Sequence, residues 1–129
     1  MRFRKEKKPP SARERLAHLL SESELSEVKS VLYTDLHFDE PNTKQETLLY
    51  CTQSHLTVYR NGEKTDFCPL KEIAELRLQK GVGCVSIEYV DQSSKEERIL
   101  ARGSAERKND AAEFVKSVNN ILYLPAFVK

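Results

Sequence analysis

The sequence predicts a mainly β fold of the α+β class, in which a curved antiparallel sheet of about seven strands is closed by a C-terminal helix. Short segments of alternating apolar and polar residues follow one another from Val28 to Arg102. The connections between them have hairpin length, whereas parallel strands need much longer crossovers. A stretch with helical apolar spacing follows the last of these segments.

Length and composition limit the functional classes. A chain of 129 residues can form one domain with its own core. The formal net charge of +1 provides no overall attraction to nucleic acid or another polyanion. Three widely spaced cysteines without a metal-ligand pattern indicate a reduced, cytosolic setting. No apolar run reaches the roughly 18 residues that a membrane helix needs, so we expect a soluble cytoplasmic chain.

The N-terminal segment divides into a tail and a helix. Residues 1–10 are basic and end in two prolines, a composition that predicts disorder. A helix is predicted over residues 11–24, because Ser11 and Glu14 have the spacing of a capping box. Its apolar positions form one stripe, which we expect to dock on the domain: Ala12, Leu16, Leu19 and Leu20.

Seven strands are predicted in the middle of the chain. They are Val28–Phe38, Thr47–Thr52, Leu56–Arg60, Lys64–Cys68, Ile73–Gln79, Cys84–Val90 and Glu97–Arg102. Asn61-Gly62 predicts a type I′ hairpin turn, since both central residues of that turn need positive φ. Pro69 cannot donate a ladder hydrogen bond, so the chain should leave the sheet or lie at its edge there.

The last element is an amphipathic helix of about five turns. Ser104 is the predicted N-cap, and Pro125 is the predicted stop. The apolar positions that should cover the open end of the sheet are Ala111, Phe114, Val115, Val118, Ile121 and Leu122. Seven antiparallel strands followed by one capping helix is the order of a pleckstrin-homology-like (PH-like) barrel.

Four segments resemble the soluble PH-like N-terminal region of bacterial ATP-binding-cassette (ABC) exporters. They read SVLYTDL, ETLLYCTQSHLTVYRNGE, CPLKEIAELRLQKGVG and AAEFVKSVNNIL. The positions that carry the resemblance are Asp35, Leu36, Thr52, Leu56, Val58, Leu70, Ile73, Leu76 and Gly83. The resemblance extends from Leu25 to Leu122, and it implies a PH-like domain over 25–124 with residues 125–129 as a tail or linker.

The resemblance implies a non-catalytic accessory or regulatory domain that docks on protein surface at the inner face of the membrane. The protein partner would be another surface or a sister domain of the transporter. Tyr59, Arg60 and Lys64 could present one aromatic group and two cations to it around the hairpin turn. If the hairpin is only scaffold, Gly62 is required and the fold is indifferent to Arg60 and Lys64.

The alternative function is a peripheral membrane-binding module. Each basic residue near an anionic leaflet contributes about 1 kcal/mol to binding. The possible membrane contacts lie in the tail: Arg2, Phe3, Arg4, Lys5, Lys7 and Lys8. Specific phosphoinositide binding is disfavoured, because the first long loop, DEPNTKQE, carries Lys44 alone among three acids.

No catalytic, cofactor-binding or metal-binding residues are predicted. GEKT at residues 62–65 lacks the upstream glycine of a phosphate-binding loop, and GVG at residues 81–83 predicts a turn before a strand. Cys51 and His55 provide at most two of the four ligands of a structural zinc site. We therefore expect no cofactor, no small-molecule substrate and no nucleic-acid partner.

Overall fold

A computed structural model describes the backbone of residues 10–40 and 43–128, with side chains described as far as Leu122. All seven predicted strands are confirmed. They are β1 Ser30–Leu36, β2 Lys44–Cys51, β3 His55–Arg60, β4 Glu63–Pro69, β5 Ile73–Gly81, β6 Cys84–Asp91 and β7 Glu97–Ser104. The helices are α1 Ala12–Ala17, α2 Glu22–Ser26 and α3 Lys108–Val128, and 3-10 turns lie at Leu70–Glu72 and Ala105–Arg107.

The strands form one open antiparallel sheet in the order β4-β3-β2-β1-β7-β6-β5. It consists of two meanders, β1–β4 (the first meander) and β5–β7 (the second meander). They join where β1 runs beside β7, with Leu36 paired to Arg102. As predicted from Pro69, the chain leaves the sheet after β4 and crosses to the other edge through the 3-10 turn at Leu70–Glu72. Strands β4 and β5 are therefore the two edges.

The predicted hairpin turn is confirmed. Asn61 has φ 51° and Gly62 has φ 84°, the two positive values that a type I′ turn requires. The GVG segment is also a turn, with Gly83 at φ 71° between β5 and β6. In both places the residue that tolerates positive φ specifies where the strands reverse.

The main core lies between the inner faces of the two meanders and helix α3. Phe114 and Val118 of α3 are buried against inward residues such as Leu32, Leu49 and Leu76. Asn119 fastens the helix to edge strand β5. Its Oδ1 accepts from the Leu76 N–H at 2.9 Å, and its Nδ2 donates to the Leu76 carbonyl at 3.0 Å. The predicted role of this helix as a core cover is confirmed.

Both ends of α3 differ from the prediction. The Ser104 hydroxyl does not cap the helix, because it donates to Asp35 Oδ2 at 3.0 Å while the Ser104 N–H donates to Asp35 Oδ1 at 2.9 Å. A 3-10 turn at Ala105–Arg107 precedes the helix instead. At the other end, the helix continues through Pro125 to Val128. Proline removes one helical hydrogen bond and bends a helix, which does not oblige the chain to leave it.

The N-terminal segment forms two short helices where one was predicted. The Ser11–Glu14 capping box is confirmed at the start of α1. A second capping box at Ser21 and Glu24 begins α2 and so interrupts the predicted helix. Leu16 of α1 is fully buried in a second apolar cluster, on the outer face of the sheet, with Leu20, Val28 and Tyr50. The expected docking of this segment is therefore confirmed, while the predicted tail of residues 1–10 lies almost entirely outside the described residues.

Candidate functional site

The hairpin β3–β4 does not bring its three predicted contact residues together. Successive side chains of a strand point to opposite faces of the sheet. Val58 belongs to the inner core, and Tyr59 lies on the outer face in the cluster that the N-terminal helices cover. The Tyr59 ring stacks against Tyr50 with centroids 6.4 Å apart. Tyr59 is therefore half-buried within this chain.

Arg60 lies on the inner side and connects the two meanders. Its Nη1 donates to Asp66 Oδ2 at 2.5 Å, and its Nη2 donates to the Leu100 carbonyl of β7 at 2.6 Å. Its guanidinium carbon lies 4.2 Å from the Phe38 ring centroid. Only 10% of the side chain is exposed. The prediction that the scaffold is indifferent to Arg60 is wrong, because the arginine bonds a carbonyl 40 residues away in sequence.

A different group of side chains lies on the outer face of the β3–β4 hairpin, and we call it the edge patch: His55 of β3 with Lys64 and Phe67 of β4. Phe67 is 55% exposed. Its ring centroid lies 4.7 Å from that of His55 and 5.9 Å from Lys64 Nζ. Sequence reasoning missed Phe67, although its neighbours Asp66 and Cys68 face inward opposite Val58 and Leu56. That alternation places Phe67 outside.

The electrostatics of the edge patch depend on Lys64. Partial burial, and secondarily the charge of Lys64, lower the pKa of His55 below its usual 6.5, with Glu27 opposing the shift. His55 Nδ1 lies 3.1 Å from Ser54 Oγ and 3.2 Å from Thr52 Oγ1. The imidazole is therefore neutral at pH 7, and Lys64 is the cation beside the exposed ring.

The cysteines carry no disulfide. Burial raises the pKa of the Cys51 thiol to about 11, so Cys51 stays protonated and unreactive at neutral pH. Among the described residues, no group of three or more His, Cys, Asp or Glu side chains could hold a metal ion. No helix in the described part of the chain is both long enough and apolar enough to cross a membrane. The possible membrane contacts, Arg2 to Lys8, lie outside the described residues.

The comparisons with known proteins do not assign a family. No protein-family model matches the sequence, and no curated protein matches it at a significant level. The observations that bear on function are therefore the open sheet, its two unlike edges and the side chains on its surface.

Proposed function

We propose that the chain is a non-catalytic, PH-like accessory domain that docks on protein surface and regulates or positions its partner. In this proposal it is the cytosolic N-terminal part of a bacterial ABC transporter. Two antiparallel meanders around one core, with a C-terminal helix packed on that core, support the PH-like assignment. The resemblance of residues 25–122 to exporter N-terminal regions supports the transporter setting.

The exposure of Phe67 on an edge strand carries the docking proposal. Aromatic rings are enriched in protein interfaces, and an edge strand offers unpaired backbone groups to a partner. The two edges of this sheet differ. At β5, the Asn119 side chain bonds both the N–H and the carbonyl of Leu76. Within the described part of the chain, β3 is the one strand that is hydrogen-bonded to β4. The open edge is therefore the edge that carries Phe67.

The edge patch also indicates the chemistry of the partner surface. Phe67 supplies apolar area, and exposed Lys64 supplies a positive charge beside it. A partner segment with an apolar side chain and a neighbouring carboxylate would complement both groups. Strand addition to β4 would allow its backbone to contribute hydrogen bonds as well.

The proposal is tested in the full-length gene product, once the reading frame beyond Lys129 has been established. Phe67→Ser is compared with Val82→Ser, a matched control that removes a fully exposed apolar side chain from the β5–β6 turn. We expect Phe67→Ser to change ATP turnover several-fold while the melting temperature of the isolated chain stays the same. Val82→Ser should leave both quantities unchanged.

Two results would contradict different parts of the proposal. Wild-type turnover in the Phe67→Ser protein would exclude docking through β4. A reading frame that encodes no membrane-spanning part would exclude the transporter setting. Hydrogen exchange of the β4 amides, compared between the isolated chain and the full-length protein, measures docking separately from turnover.

A further inference from the structure

Two arginines converge on one tyrosine where α1, β1 and the 3-10 turn before α3 meet. The guanidinium carbon of Arg15 lies 4.0 Å from the Tyr33 ring centroid, and that of Arg107 lies 4.9 Å from it. The two distances limit the separation of the guanidinium carbons to about 9 Å. Both cations are partly shielded from solvent, with 24% and 35% of their side chains exposed.

Neither arginine side chain donates a hydrogen bond to another group in the described part of the chain. The Nε atoms of both are buried without an acceptor. The nearest carboxylates are at ion-pair distance only, 3.7 Å from Arg15 Nη1 to Glu46 and 3.8 Å from Arg107 Nε to Asp35. The Nε atoms of Arg60 and Arg102 are also buried without a partner. Arg60 nevertheless donates several hydrogen bonds from its Nη atoms, and Arg77 donates from its whole guanidinium group. Unpaired buried donors are costly, and the described part of the chain provides no hydrogen-bond acceptor for the Nε of Arg15 or of Arg107. A bound oxyanion would supply acceptors for these two guanidinium groups.

A cleft of about 460 Å³ opens at this place, and we call it the arginine cleft. Arg15, Tyr33 and Arg107 line it together with Arg13. Asp110 and Glu113 of α3 form another part of its wall. The cleft therefore has room for a ligand, and it has three cationic and two anionic side chains around that room.

We propose that the arginine cleft binds a phosphate-type oxyanion. Guanidinium groups donate in a planar fork that matches the oxygens of a phosphate. One phosphate that accepts from two arginines can bridge guanidinium carbons up to roughly 8 Å apart. The distances of Arg15 and Arg107 to the Tyr33 ring are compatible with such a separation. Both cations contact the Tyr33 ring, and cation–π attraction to it holds them in place before the ligand arrives.

The carboxylates restrict which phosphate compounds fit. Asp110 and Glu113 repel additional negative charge, so a polyphosphate or a nucleic acid is disfavoured. A single phosphate group with a neutral or cationic substituent avoids that repulsion. Either a soluble phosphate monoester or a phospholipid headgroup has this chemistry. The site shares no residue with the edge patch, so it is independent of the proposed docking function.

The first experiment is a titration of the ¹⁵N-labelled chain with inorganic phosphate at constant ionic strength. We expect saturable shifts of the Tyr33 and Arg107 amides in the parent. Arg107→Gln should weaken the binding about tenfold or more, the loss expected when a charged hydrogen bond is removed. Arg77→Gln is the matched control, because Arg77 is an exposed arginine on β5, and it should bind as the parent does. Arg107→Lys keeps the charge without the fork and should show an intermediate affinity.

The second experiment separates the two sources of phosphate. The full chain and the same variants are sedimented with phosphatidylglycerol vesicles at fixed salt. The basic tail is identical in all of them, so a loss confined to Arg107→Gln belongs to the cleft. Such a loss without saturable binding of inorganic phosphate identifies a lipid headgroup as the ligand. Saturable binding of inorganic phosphate that Arg107→Gln weakens, with unchanged sedimentation, identifies a soluble ligand.

The proposal is overturned if Arg107→Gln and Arg77→Gln respond to both probes as the parent does. Linear shifts without saturation, combined with equal sedimentation of all variants, would likewise overturn it, because neither source of phosphate would then bind the cleft. Melting curves of each variant establish that a lost response does not come from unfolding.

Discussion

The outer faces of the two meanders differ in polarity and in burial. On the first meander, Val31, Tyr50 and Tyr59 form an apolar surface that Leu16 and Leu20 of the N-terminal segment cover. On the second meander, the corresponding face is charged. Arg77 of β5 donates to Glu75 and to Glu97, each at 3.1 Å between the paired atoms. One sheet therefore continues from a region buried on both faces into a region buried on one.

This difference shows why the N-terminal helices are needed at one place only. Every residue from Thr47 to Cys51 in β2 is buried, because the inner face meets the core and the outer face meets α1. Strand β6 alternates between buried and half-exposed positions instead. A continuous apolar run in a strand indicates two covered faces, and alternation indicates one.

The largest expected effect is on the covered outer face. Leu16→Ala removes a fully buried side chain of α1 and should lower the free energy of unfolding by about 3 kcal/mol. Denaturant titration of the whole chain measures this change. An unchanged midpoint would mean that the N-terminal helices do not stabilise the first meander. Leu19→Ala, at a partly buried position of the same segment, should cost less.

A smaller effect is expected where the two meanders are joined. Arg60→Ala breaks the bonds to Asp66 and to the Leu100 carbonyl. It should cost about 2 kcal/mol, because a partly exposed carboxylate and a carbonyl lose a largely buried charged donor. Lys64→Ala, four residues along and exposed, is the control and should leave the unfolding midpoint unchanged. If the two variants have the same unfolding midpoint, the hydrogen bonds of Arg60 do not stabilise the junction of the meanders.

The smallest effect is expected on the charged outer face. Arg77→Ala removes two ion pairs of exposed side chains, and such pairs are largely offset by solvation and side-chain entropy. We expect no measurable shift of the midpoint, at low or at high salt. A clear loss of stability that disappears with added salt would contradict this expectation. It would show that the ion pairs stabilise the second meander, as the packing of α1 stabilises the first.

Much of the fold was predictable because its signals are local. The strands follow from alternation, the β3–β4 turn from Asn61-Gly62, and the start of α1 from Ser11 and Glu14. The errors have specific causes. Ser104 is a residue type that commonly caps helices, but its hydroxyl donates a hydrogen bond to Asp35, 69 residues earlier. The break in the N-terminal helix had a local signal, the second capping box at Ser21, which the apolar stripe obscured.

The candidate sites were less predictable than the strands. Tyr59, Arg60 and Lys64 are adjacent along the hairpin, yet the pleat sends Arg60 inward to Leu100. Phe67 and the Arg15–Tyr33–Arg107 group had no motif of their own. Arg15 and Arg107 are far apart in the chain and meet only because α1 and the start of α3 both lie against β1.

Local chemistry in the chain thus specifies which segments are strands, where they reverse and which side chains share a face. Long-range packing specifies which edge is left open, which outer face is covered and which cations meet. The physical reason is that φ preferences and alternation act between near neighbours. The pairing of β1 with β7 and the hydrogen bond from Leu76 to Asn119 depend instead on contacts between residues distant in sequence. Such contacts form according to the whole core, and no short stretch of sequence encodes them.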